Sequence, residues 1–458
     1  MKRTPRDPSS FGIAPPKALK KVLIVSPHFP PVNAPDMQRV RMSLPYYRSC
    51  GWEPVVLAVG ERWHRGVREP DLLATVPSDI RVIRTGAVPP GLARWLGIGN
   101  LGLLGWPFLF LEGWRLLRRE KFDLVFFSTT QFMTFTLGRL WQARFGVPYV
   151  IDIQDPWRTD YYERAGSRRP PGGWKYRFAR LTAWLFEGWS YARASGFVSV
   201  SAAYFDELSR RYPWFSAKPR SVIRFGASAA DMERARRLPP SALGGPRRDA
   251  SVHFLYTGAS GPVMPHAISV LFQALREYRA REPEKAKRLR FHFVGTSYVE
   301  AGRGRPSVIP LAAEFGVADQ VEEVPHRIGF LQALRLQIDA DVLLLPGSSD
   351  PAYSPSKVYL YYLAGPPMLG LVFKGSVMEL LLKELNCSHL VSFGAAEDKG
   401  EAYTAIQDFF DTAVSGFPPG SLPVRNDAYF NSHYMSDRLT RDQCALFEEA
   451  VRCAATPR

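Results

Sequence analysis

Between Asp341 and Gly370 the chain reads DVLLLPGSSDPAYSPSKVYLYYLAGPPMLG. Two uninterrupted apolar runs, 342–345 and 368–373, frame this stretch. Short runs of that kind, without polar alternation, predict strands buried on both faces of a parallel sheet. Pro346 and Gly347 stop the first strand, and a polar loop follows over 348–354. A helix start is then written three ways. Ser354 can cap, Pro355 suits the first helical position, and Lys357 falls in the first turn. Gly365 ends the helix, with Pro366 and Pro367 beyond it. A lysine in a first turn opposes the helix dipole, which favours an anion at that end. A phosphate bound there resolves the conflict. A solvated lysine beside an ordinary cap satisfies the same residues.

The same alternation runs along the rest of the chain. Residues 21–26 (KVLIVS) predict a buried strand, and a loop with four prolines leads from it into a helix over 37–50. Strands follow at 53–58 and 80–84, a helix at 106–119, a strand at 122–128, a helix at 132–145 and a strand at 148–153. That last strand runs into Asp152 and Asp155, and open α/β sheets keep their chemistry at strand C-termini. Asp155-Pro156 reads equally as a turn whose aspartate caps the next helix. A long helix over 176–194 and a strand at 197–200 close the first half.

A second alternating run begins at 252–256. Its first loop, Thr257-Gly258-Ala259-Ser260-Gly261-Pro262, is small enough for backbone N–H groups to approach a phosphate. The pattern is Gly-x-x-Gly, so the dinucleotide fingerprint is absent. Strands at 289–294 and 321–324 end at Gly295 and just before Arg327, a candidate phosphate clamp or simply an arginine at a helix start. Amphipathic helices at 402–413 and 440–453 finish the chain.

A chain of 458 residues suits two or three domains. Its four scattered cysteines lack metal-ligand spacing and fit a reducing cytoplasm rather than a disulfide framework. The net charge of +16 suits nucleic acid, an anionic membrane or anionic substrates. No zinc-finger spacing or aromatic RNA-binding strand accompanies it, so nucleic acid is not an expected partner. The basic, proline-rich residues 1–20 read as a disordered tail without a signal peptide. The longest uncharged run, 95–111, carries four glycines and Pro107, which argues against a spanning helix. It suits a membrane interface anchored by Trp95, Trp106 and Trp114, or a buried loop and helix; the second is preferred.

SPSKVYLYYLAGPPML resembles the donor-binding helix of the GT-B glycosyltransferases of family 4, which read close to S-K-L-x-E-Y-L-A-x-G-x-P-x-L. Lys357, Tyr361, Ala364, Gly365, Pro367 and Leu369 fall in place. DIQDPW at 152–157 is similar to the family's D-x-x-D-P-W, and VIRFG at 222–226 to its V-I-x-x-G. The Pro-Pro loop after the first strand is similar too, with Val32-Asn33-Ala34 where many relatives carry glycines. The chain departs at both glutamates of the E-x7-E pair: the ribose-binding one falls at Leu360 and its partner at Ala352, with Asp350 close by. An Arg and a Lys usual after the first loop of the second domain are also missing until Arg276.

The resemblance implies an α/β chain of the GT-B fold, two doubly wound Rossmann-like domains facing a cleft. It places an acceptor-side domain at 21–226, a linker at 227–250, a nucleotide-sugar domain at 251–420, and a C-terminal helix within 421–458 returning to the first domain. It implies a metal-independent transferase, without cofactor, that moves a sugar from a nucleotide-sugar to a glycan or lipid-linked acceptor. Donor contacts fall on Gly258, Ser260, Gly261, Gly295, Arg327, Ser354, Ser356, Lys357 and Tyr361. Asp155 is the expected catalytic residue, with His28, Pro31, Asp152 and Arg158 on the acceptor side. A cytoplasmic location, with peripheral contact to anionic membrane through 158–169 and 95–114, is a further expectation. The missing glutamates favour an alternative, a degenerate GT-B protein that binds nucleotide or glycan without transfer.

Overall fold

The computed structural model describes residues 18–64, 67–89, 91–92, 99–158, 173–240, 245–246, 249–259, 264–297, 304–348, 356–394 and 399–455. The apolar runs pair into two parallel sheets. The first holds β1 (Lys20–Val25), β2 (Trp52–Val59), β3 (Arg81–Thr85), β4 (Leu124–Ser128), β5 (Tyr149–Ile153), β6 (Gly196–Ser199) and β7 (Arg220–Val222). Their order is β3-β2-β1-β4-β5-β6-β7. The second holds β8 (Val252–Thr257), β9 (Leu289–Val294), β10 (Val321–Val324), β11 (Val342–Pro346), β12 (Met368–Phe373) and β13 (His389–Phe393), in the order β10-β9-β8-β11-β12-β13. Helices cover both faces of each sheet, so the strands are apolar on both sides.

Strand order reverses between β1 and β4 in one sheet and between β8 and β11 in the other. Neighbouring connections there leave in opposite directions and open a crevice at the strand C-termini. In the second sheet the opening is visible in the register. β11 pairs with β8 only at Val342 with Phe254 and Leu343 with Leu255. Beyond that point the Thr257 N–H donates to the hydroxyl of Tyr361 instead, at 2.7 Å.

The helix expected over 37–50 breaks into short pieces: 3-10 turns at Pro35–Met37, Leu44–Tyr46 and Arg48–Cys50 around an α-helix at Gln38–Ser43. Pro45 lacks the N–H that would continue the ladder. At the other extreme, the helix Trp106–Arg119 keeps the bounds expected of it. Gly146, at φ +69, closes the helix Phe135–Phe145 in a left-handed turn that costs a side-chain-bearing residue more.

Residues 227–250 include a regular helix, Ala229–Arg237, which packs on the helix Phe330–Asp339 of the second sheet. Arg41 ties it to the first domain through a buried bidentate pair with Asp231, at 2.8 and 2.6 Å. The last helix, Ser436–Ala455, lies on the first sheet. Its Phe447 is fully buried among the rings of Tyr47, Trp52 and Phe126. Truncating a ring so placed costs about 3–5 kcal/mol.

Candidate functional site

The loop after β1 brings His28 and Asp36 together at the first switch point. Asp36 is buried, and its oxygens accept from His28 Nδ1 at 2.9 and 3.1 Å. Thr129 Oγ1 donates at 2.7 Å and the Thr130 N–H at 3.1 Å, both from the loop after β4. Burial pushes the Asp36 carboxyl up, but the hydrogen bonds and charge of His28 and the Thr129 and Thr130 donors outweigh it and hold the pKa below the ordinary value. A carboxylate on Nδ1 fixes the proton there and presents Nε2 as the free base position. Among the described residues nothing partners His28 Nε2, and the side chain keeps 20% of its surface exposed. The ring stands 5.3 Å from that of His64. His64 is pushed down to about 4, chiefly by burial, so it is neutral at pH 7.

Asp155 follows β5 on the same crevice. Crowding by protein mass, and then the Asp36 carboxylate, raise its pKa to about 6. Its side chain is nevertheless exposed, so water screens both effects. His28, Asp36 and Asp155 therefore gather at the mouth of the first sheet.

One acceptor-side expectation, Asp152, is corrected. Asp152 is fully buried. Its Oδ2 accepts from Arg39 Nε at 2.8 Å, Ser128 Oγ at 2.8 Å and Gln154 Nε2 at 2.9 Å, which makes it an internal tie and removes it from the ligand side. Pro31 is buried, and its carbonyl accepts the Glu69 N–H at 2.7 Å. Arg158 gives its backbone N–H to Glu187 at 2.9 Å, in the cluster that Glu187 forms with Arg211 and Tyr212. The side-chain period of a strand decides such outcomes: Asp152 points into the sheet's packing, and Asp155 lies beyond it.

In the second sheet, Gly258 follows β8 with φ +119. A Cβ there would stand 2.5 Å from Lys357 Cε and 2.7 Å from Nζ. Lys357 thus lies across the glycine, at the start of the helix Lys357–Ala364. Its ammonium donates to Tyr256 Oη at 2.6 Å and sits 4.3 Å from the centre of that ring. Tyr256 Oη in turn donates to Ala259 O at 2.7 Å. The residue as a whole is half-buried, but the ammonium end is enclosed, and burial alone lowers its pKa to about 7. No carboxylate among the described residues pairs with it. Gly295, at φ +76, backs the turn: a Cβ there would stand 3.7 Å from the Gly258 nitrogen.

Arg327 is half-buried between β10 and the helix Phe330–Asp339. Ser356 is exposed at the N-cap of the Lys357 helix without a side-chain cap bond. Ser260, Gly261 and Ser354 lie outside the described residues. Tyr361 is corrected: fully buried, its hydroxyl accepts from Thr257, so it wedges β8 from β11 and does not face a ligand. Leu360, at the expected glutamate position, is half-buried against the core.

Glu69 makes one of the contacts that join the two crevices among the described residues. Glu69 Oε2 accepts the Phe330 N–H at 2.7 Å, capping the helix of the second domain, while Oε1 accepts from Asn33 Nδ2 at 2.6 Å. Sequence reasoning missed Asp36, Tyr256 and Glu69. Only Asp36 carried a signal, an acid eight residues after His28 in a proline-rich loop.

Residues 38–226 match the family model of the glycosyl transferase 4-like domain. Most of the chain superposes on solved GT-B structures. HepE of Anabaena in complex with UDP-glucose is 15% identical with a TM-score of 0.55, covering 93% of this chain and 98% of its own. The N-terminal domain of Candida albicans trehalose-6-phosphate phosphatase is 10% identical with a TM-score of 0.58, covering 96% and 98%. The α,α-trehalose 6-phosphate synthase of Burkholderia multivorans is 10% identical with a TM-score of 0.57, covering 96% and 99%. No curated protein matches the chain. The fold is GT-B, two Rossmann-like domains, and the first resembles the family 4 glycosyltransferases.

Proposed function

We propose that the chain is a nucleotide-sugar-dependent glycosyltransferase acting on a glycan or lipid-linked acceptor. The observation that carries this is the enclosed ammonium of Lys357 beside Gly258 at the second switch point, which no carboxylate among the described residues pairs. An enclosed cation is costly until an anion meets it. A sugar-nucleotide diphosphate supplies that charge, and the N-terminus of the Lys357 helix adds backbone donors. The fold relative HepE was solved with UDP-glucose, which supports the ligand class.

Transfer then runs between the two crevices. The acceptor hydroxyl gives its proton to His28 Nε2, its oxygen bonds to the anomeric carbon, and the bond from that carbon to the diphosphate breaks with its electron pair leaving on the phosphate. Lys357 and the helix N-terminus stabilise that charge. Asp36 holds the imidazole in its tautomer, and Asp155, ionised above about pH 6, orients the acceptor or the sugar.

Leu360 in place of the ribose-binding acid favours a second reading, a scaffold that binds without transfer. One experiment separates the two. Calorimetry with nucleoside diphosphates, run beside a transfer and hydrolysis assay on a nucleotide-sugar panel, is expected to show binding and turnover. Binding without turnover selects the scaffold, and no binding removes both. Lys357→Ala is expected to weaken diphosphate binding by about 1–3 kcal/mol, the range of a charge-assisted contact.

A further inference from the structure

Three helices cover one face of the first sheet side by side: Trp106–Arg119, Phe135–Phe145 and Trp174–Ala192. A helix in this position normally turns polar residues outward. Trp174–Ala192 does not. Phe178, Leu181, Leu185 and Trp189 recur at helical spacing and are all exposed, and Trp184 beside them is 62% exposed. Its inward side is used as well: Ala183 and Tyr191 are in the core, and Glu187 is buried against Arg211. Phe108 and Leu111 extend the exposed apolar surface onto the helix Trp106–Arg119.

The charge around this surface is one-sided. The three helices carry seven arginines against two glutamates, and Glu187 is spent internally. The middle helix places two of those cations over aromatic rings of its neighbours. Arg139 lies 4.6 Å from the Trp189 ring, and Arg144 lies 5.7 Å from that of Trp114. Apolar and tryptophan side chains ringed by arginine match the chemistry of an anionic bilayer surface, with hydrocarbon below and phosphate above. A water-facing protein rarely leaves so many large apolar side chains on one helix exposed.

The expectation from sequence set the membrane contact on 95–114 and 158–169, of which Phe108 and Leu111 belong to this exposed face. Trp106 and Trp114 are half-buried in a stack with Phe110 and Phe145, and Trp106 donates to Thr136. Trp95 and residues 159–169 lie outside the described residues. No helix among the described residues is long and apolar enough to cross a membrane. We infer that the outer face of Trp174–Ala192, with its neighbours' arginines, docks the protein onto an anionic lipid surface by shallow insertion of Leu181, Trp184 and Leu185. The inference stands without the transfer reading. Joined to it, the docked face belongs to the domain that holds His28, so a lipid-linked acceptor would be met from that side.

Flotation tests it, with phosphatidylcholine vesicles compared with vesicles that also contain phosphatidylglycerol, at low salt. The full chain is expected to float with the anionic vesicles. The triple variant Leu181→Ser, Trp184→Ser, Leu185→Ser and the charge variant Arg118→Glu, Arg177→Glu should each lower recovery roughly tenfold. Thermal melts should not move, because the changed side chains are exposed. Equal recovery on neutral and anionic vesicles overturns the inference, as does unchanged recovery of the triple variant. Sedimentation showing a dimer that the triple variant dissolves also overturns it, and makes the face an interface between copies of this chain.

Discussion

The Lys357 ammonium lies 2.6 Å from Tyr256 Oη, directly across Gly258. Burial lowers its pKa to about 7 from 10.5. A lysine lowered in this way is penalised in the folded state while it stays charged. Between about pH 7 and 10.5 the unfolded chain binds more protons, so this group makes stability rise with pH across that window. Lys357→Met should therefore raise the melting temperature of the ligand-free protein at pH 7 and weaken diphosphate binding. The stability gap to wild type should close by about pH 10. Calorimetry and melting curves over pH check both halves, and a less stable variant would contradict the first.

His28 and Asp36 should act as a unit. Asp36→Asn removes the carboxylate that fixes the tautomer, and His28→Gln removes the base. Each is expected to lower kcat roughly 10²–10⁴-fold, the usual worth of general acid–base catalysis, with nucleotide affinity retained. The double variant should lose little more than either single one. Additive losses in turnover would show the two residues acting separately.

Under the proposed mechanism Asp155 should set the acid limb of the rate profile. Its pKa is raised from 3.8 to about 6, so activity that needs the carboxylate should fall as pH drops through about 6. Asp155→Asn should lower turnover and remove that limb, whereas a residue that only caps the next helix would leave the profile intact.

Glu69 couples the domains by capping the helix Phe330–Asp339. Glu69→Ala removes a cap worth about 0.5–2 kcal/mol. Faster hydrogen exchange at the Phe330 amide and a larger radius of gyration in solution scattering are expected. Unchanged exchange there would mean that the contact does not hold the domains.

Asp231→Ala strands the Arg41 guanidinium, which is 1% exposed. Breaking a buried pair in this way costs about 3–5 kcal/mol. Denaturant titration should show that loss. Arg41→Met with Asp231→Leu should recover much of it, since apolar replacement leaves no buried charge.

Sequence alone determined the strands and their class. Uninterrupted runs such as VLLLP at 342–346 and MLGLVF at 368–373 have only one economical place, inside a sheet covered on both faces. It also marked the two phosphate-prone features of the second domain, Gly258 and the Lys357 helix, because a glycine turn and a misplaced charge are local signals. Tertiary structure decided which polar groups face the crevices. Asp152 and Asp155 lie three residues apart and look equivalent in the chain, but Arg39 claims one and leaves the other in solvent. Tyr361 fits the family pattern as closely as Lys357, yet its hydroxyl is spent on Thr257. Nothing local joins Asp36 to Thr129, Lys357 to Tyr256 or Glu69 to Phe330, 93, 101 and 261 residues apart. Those pairings exist only because parallel strands return each chain segment to the same edge of its sheet, and the packing of two domains then fixes which donor meets which acceptor.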